Sequence, residues 1–99
     1  MAKVKSRVYY EWVVEIMEPL LVDIDDVLFF DELKEAISVM GDYDSKLTNL
    51  ALIRDYGNDY DGVKDRGYAY VEGSKLPQYF SCGSKVPKRY HNMIKECLH

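Results

Sequence analysis

The clearest pattern in the chain is a strict alternation from Arg7 to Glu18. Val8, Tyr10, Trp12, Val14 and Ile16 fall on one side, and Tyr9, Glu11, Val13, Glu15 and Met17 on the other. A period of two with β-branched and aromatic residues predicts a half-buried strand with its apolar side inward. Pro19 lacks the amide that a ladder needs and ends it. Val27 to Phe30 is a short apolar run that fits either a brief second strand or a buried lead-in to a helix. The period then changes. Leu33, Ala36, Ile37 and Met40 recur at helical spacing, with Asp31 in position to cap the start and Gly41 at the expected stop.

After the polar loop DYDSK, Leu47 to Tyr56 reads as a strand. Arg66 to Glu72 reads as another, with Tyr68 and Tyr70 alternating against Ala69 and Val71. The stretch between them, Gly57 to Gly62, is rich in residues that tolerate turns and predicts an extended loop tip. Gly73-Ser74 forms a further turn, and Gln78 to Ser81 offers a short edge strand. Pro87 suits the first turn of a closing helix. In that helix Tyr90, Met93, Ile94, Cys97 and Leu98 share one face, while Lys88, Arg89, His91, Asn92 and Lys95 point outward. The expected fold is one α+β domain over residues 1–99, a small antiparallel or mixed sheet of three to four strands with two helices packed on one face.

Composition agrees with a globular chain: 47% of the 99 residues are apolar and 30% charged. No apolar run approaches the roughly 18–20 residues that span a bilayer. The basic start MAKVKSR lacks the apolar stretch of a signal peptide, so a cytoplasmic location is expected, with no membrane contact. Cys82 and Cys97 are too few to staple a secreted fold and read as free thiols.

Charge is the more informative quantity. The net value of −4 combines a middle, Glu11 to Asp65, with fifteen acids against four bases, and a tail, Arg66 to His99, with six bases against two acids. Such a layout yields either a dipolar surface or mutual neutralisation on folding.

Each motif that would carry chemistry is incomplete. Aligning Gly62 with the glycine of a calcium-binding loop puts Gly57 and Tyr68 where oxygen ligands belong. Asp23, Asp25 and Asp26 lack the desolvated pocket that paired carboxylates need for acid–base work. Cys82 with His91 makes a nucleophile only if the imidazole reaches the sulfur. Adding Cys97 and His99 does not give the paired spacing of a structural zinc site. Gly83-Ser84-Lys85 lacks the upstream glycine of a phosphate loop. No catalytic residues, cofactor or metal are therefore expected.

Two binding surfaces remain as candidates. One is acidic and tyrosine-bearing: Asp23, Asp25, Asp26, Asp42, Tyr43, Asp44, Tyr56, Asp59, Tyr60 and Asp61. Tyrosine supplies broad contact area, and the acids would meet a basic partner surface. The other is basic: Lys85, Lys88, Arg89, His91 and Lys95, where cations would grip phosphates beside an aromatic ring.

The segments YEWVVE (10–15), LIRDYGN (52–58), DRGYAYVEG (65–73), KLPQYF (75–80) and KVPKRYH (85–91) give the chain a resemblance to small bacteriophage-encoded proteins of unknown function. That resemblance implies synthesis in the cytoplasm of an infected bacterium and no activity to carry over. The expectation is a non-enzymatic accessory protein that binds a host protein through the acidic surface. The alternatives are a nucleic-acid-binding module using the basic helix and a small Cys-dependent enzyme.

Overall fold

A computed structural model describes residues 8–18, 23–56 and 66–98. Four strands form one antiparallel sheet in the order β2-β1-β3-β4: β1 Val8–Glu18, β2 Asp23–Phe30, β3 Thr48–Tyr56 and β4 Gly67–Tyr70. Helices α1 Leu33–Met40 and α2 Lys88–Cys97 contribute to a core on one face of it. The expected α+β architecture is the one found.

β1 is one of the two inner strands, paired through its backbone along both edges. It pairs with β2 on one side, Val14 opposite Leu28, and with β3 on the other, Val14 opposite Leu50. Its even positions Trp12, Val14 and Ile16 join Leu50, Leu52 and Ala69 under Leu33 and Ala36 of α1 and Ile94 of α2. Tyr10 packs against the rings of Phe80, centroids 6.0 Å apart, and Tyr90, 5.1 Å apart. Trp12 meets Tyr90 edge to face at 5.9 Å.

The ambiguous run at 27–30 resolves as strand, continuous with residues from Asp23 onward. Phe30 still pairs with Trp12, so the helix cannot start at once. Asp31 is consequently not the cap. Glu32 holds that position in an extended conformation, without a side-chain cap bond. Gly41 does end α1, but with a right-handed φ of −64°, so tightening turns close the helix and a left-handed residue does not.

Gln78 to Ser81 forms no strand. The segment folds back on itself, Val86 N–H donating to the Gln78 carbonyl and Phe80 N–H to that of Ser84, with a single bridge between Tyr79 and Lys85. Gly83, at φ +93°, supplies the left-handed residue that this reversal needs. Its backbone groups are spent locally, and only Ser81 reaches β4, donating to the Tyr68 carbonyl at 2.9 Å.

The odd positions of β1 also differ from expectation. Val13 and Glu15 are buried although no described helix covers that face. A central strand is flanked on both sides, and here the flanking rows are Val27 and Phe29 on β2 and Asn49, Ala51 and Ile53 on β3. Glu15, 6% exposed, keeps its charge satisfied by accepting from the Tyr70 hydroxyl at 2.9 Å and the Asn49 amide at 3.5 Å.

Candidate functional site

α2 separates two hollows of opposite character. Its amphipathic spacing buries Ile94 in the core and packs Tyr90, Met93, Cys97 and Leu98 against it, as the sequence predicts. One flank of the helix then faces the folded-back segment 74–86. Between them runs a groove of about 390 Å³ lined by Leu76, Gln78, Lys85, Val86, Lys88, His91, Asn92 and Lys95. It continues into a smaller hollow of about 160 Å³ where Ser74 and Lys75 meet His91, Ile94 and Lys95.

Lys75, Lys85, Lys88 and Lys95 thus converge from the 74–86 segment and from α2, with the half-buried His91 among them and no acid in the lining. Among the described residues none of these four ammonium groups is engaged in an ion pair. Leu76 and Val86, both buried, form the floor. At the outer end Tyr79 stands 59% exposed beside Lys85, its bridge partner. Beyond Lys75 the surface meets its bridge partner Glu72, and then Tyr70, which turns to the other face of the sheet to bond Glu15. The arrangement presents cations over an apolar floor, with the exposed Tyr79 paired to Lys85.

Arg89 does not belong to this groove. Its guanidinium lies over the Tyr90 ring, 4.7 Å from the centroid, and over Tyr10 at 5.5 Å, and it donates to the Tyr90 hydroxyl at 3.2 Å. It serves the fold by covering the aromatic cluster. Lys75 and Gln78 are lining residues that spacing along the chain does not reveal, because the 74–86 reversal brings them round.

The other flank of α2 is acidic. A hollow of about 420 Å³ between the start of α1 and the end of α2 is lined by Asp31, Glu32, Leu33, Lys34, Met93, Glu96 and Cys97. Neither cysteine is in a disulfide. The Cys82 sulfur packs over Gly67 of β4, and His91 sits in the groove. Among the described residues no group of three or more His, Cys, Asp or Glu is placed to hold a metal ion, and no helix is long and apolar enough to cross a membrane.

Of the acidic candidate's described residues, all but Tyr56 lie towards one end of the sheet. Asp26 on β2 and Asp42, Tyr43 and Asp44 after α1 lie towards one end of the sheet, the end where Glu18 pairs with Asp23 and Ile16 with both Asp26 and Thr48. Asp25 occupies the bulge of β2 at this end. Tyr43 is 46% exposed, and the exposed Asp44 accepts from the Lys46 amide at 3.0 Å. Tyr56 pairs with Val8, eight residues of β1 away from Ile16. At roughly 3.3 Å per residue that is about 26 Å along the strand. Asp59, Tyr60 and Asp61 lie outside the described residues.

Comparison of the chain with protein-family models, with curated proteins and with solved structures finds no match.

Proposed function

We propose that the chain is a binding protein whose groove between α2 and the 74–86 segment takes the phosphate backbone of a nucleic acid. One observation carries this reading: in a chain of net charge −4, four lysines and a histidine meet around one groove that no acid lines. Solvated lysines hold phosphates as point charges, without fixed geometry, and release counterions as they do so. Gln78 and Asn92 add neutral donors. Tyr79 offers an exposed ring on which a base can stack, which favours single strands over duplex. The acidic remainder of the surface orients the groove towards the polyanion by repelling it elsewhere.

Fluorescence anisotropy with a labelled single-stranded oligonucleotide and its duplex tests this. Wild type binds the single strand more tightly, and replacing Lys75, Lys85, Lys88 and Lys95 together by glutamine removes binding of both. Equal binding by that variant would overturn the reading.

A second reading is favoured by the exposed Tyr43 between the exposed Asp42 and Asp44. In it the chain is an accessory protein of bacteriophage type, and this end of the sheet meets a basic host protein. Capture from bacterial lysate that weakens with added salt and disappears on Tyr43→Ala with Asp42→Asn supports it. Capture indifferent to both substitutions refutes it.

A further inference from the structure

β2 ends the sheet: β1 pairs along its inner edge, and no described strand lies along its outer edge. The Val27 amide donates to the Asp26 carboxylate oxygen Oδ1 at 2.9 Å. That N–H therefore points away from β1, and Val27 with Glu15 is a pair without ladder hydrogen bonds. Antiparallel pairs alternate, so Phe29, opposite Val13, also turns its N–H and C=O outward. These same two residues carry exposed side chains, Val27 at 37% and Phe29 at 50%. Outward backbone groups and exposed apolar side chains coincide. An added strand needs both, the first for main-chain bonds and the second for side-chain selection.

The flanks decide which strand fits. In the sequence DIDDVLFFDE the apolar four are bracketed by acids, Asp26 before and Asp31 and Glu32 after, all exposed. A second copy of the chain, laid parallel or antiparallel, would set acid against acid at both ends, which is destabilising. An extended segment with alternating apolar residues and Lys or Arg at both ends answers these charges. We propose that the outer edge of β2 accepts such a strand from a basic partner protein, with the Asp26 carboxylate occupying the Val27 amide until a partner carbonyl replaces it. The inference is independent of the groove at α2.

The probe is a synthetic peptide of alternating valine and threonine flanked by arginines, compared with a glutamate-flanked peptide. Amide hydrogen exchange of the full chain is followed by NMR. The arginine peptide slows exchange at Val27 and Phe29 by at least about tenfold, and the glutamate peptide does not. Phe29→Pro removes an outward donor without touching the ladder to β1, and abolishes the effect. The fluorescence of Trp12, the only tryptophan, reports that the fold persists. Asp31→Lys with Glu32→Lys, both at exposed positions, shifts preference from the arginine to the glutamate peptide. Unchanged exchange with the arginine peptide, retained protection in a folded Phe29→Pro chain, unaltered preference in the lysine variant, or protection of these amides by self-association alone would each overturn the proposal.

Discussion

Replacing Gly67 by alanine tests how the groove wall is fixed to the sheet. Gly67 is buried at the start of β4, opposite Arg54. A Cβ there would stand 2.5 Å from the Cys82 sulfur and 2.8 Å from the Phe80 Cβ. The sulfur can rotate aside. The Phe80 Cβ cannot, because it is fixed to the backbone of a residue only 2% exposed in the core. The 80–82 backbone must then lift from β4, and it is held there by Ser81 N–H to the Tyr68 carbonyl at 2.9 Å and Tyr68 N–H to the Ser81 hydroxyl at 3.0 Å. Overpacking costs about 1–3 kcal/mol, and each weakened hydrogen bond about 1 kcal/mol. Loss of glycine flexibility in the unfolded chain returns about 0.4–1 kcal/mol. The net expectation for Gly67→Ala is a loss of about 2–3 kcal/mol. In a domain of this length that lowers Tm by roughly 10–20 °C. Adding Cys82→Ala relieves the sulfur contact and recovers only part of the loss, since the Phe80 contact stays. Thermal unfolding followed by circular dichroism reads both variants. A loss below about 0.5 kcal/mol for Gly67→Ala, or full recovery in the double variant, would show that Phe80 does not anchor the segment.

Burial, and then the hydrogen bond to Glu15, raise the pKa of Tyr70 from 10.0 to about 12. Its phenol keeps its proton more tightly in the folded state, so its stabilisation is full below about pH 10 and is lost as pH rises towards 12. Ultraviolet titration should show a late-ionising tyrosine that vanishes in Tyr70→Phe, with a stability loss near 1 kcal/mol, modest because the ring is 41% exposed. The same loss at pH 7 and pH 12 would contradict this. Arg89→Ala removes the cation from the Tyr10 and Tyr90 rings, which costs about 0.5–1 kcal/mol. It leaves oligonucleotide affinity within about twofold, whereas Lys88→Gln lowers affinity more than stability. An Arg89→Ala chain of unchanged stability and lost affinity would return Arg89 to the interface.

Fold class was readable because three strands and two helices announce themselves by period. Residues 8–18 alternate throughout, and the face of α2 is regular from Tyr90 to Leu98. Position 31 misleads because cap preference is local, while the pairing of Phe30 with Trp12 is a contact across the sheet that delays the helix. The 74–86 reversal is hidden for a similar reason. Its bridge joins Tyr79 to Lys85 without a ladder, so no period marks it. Four of the five basic groove residues, Lys85, Lys88, His91 and Lys95, were legible as a run of cations near 85–95. Lys75 was not, since only the reversal brings it to the groove. Arg89 shares the charge of its neighbours, but helical geometry turns it onto Tyr10. Of the acidic candidate, the described acids lie towards one end of the sheet, while Tyr56 pairs with Val8 about 26 Å away along β1.

The groove is tested most directly by the salt dependence of single-strand binding. Each phosphate neutralised on a single strand contributes about −0.7 to the slope of log K against log salt. Four lysines acting together predict a slope of about −3. Single replacements of Lys85 and Lys88 by glutamine should each reduce its magnitude by about 0.7, while Arg89→Ala leaves it unchanged. A slope indifferent to Lys85 and Lys88, or no binding at about 50 mM salt, would contradict the assignment of this surface to a phosphate backbone.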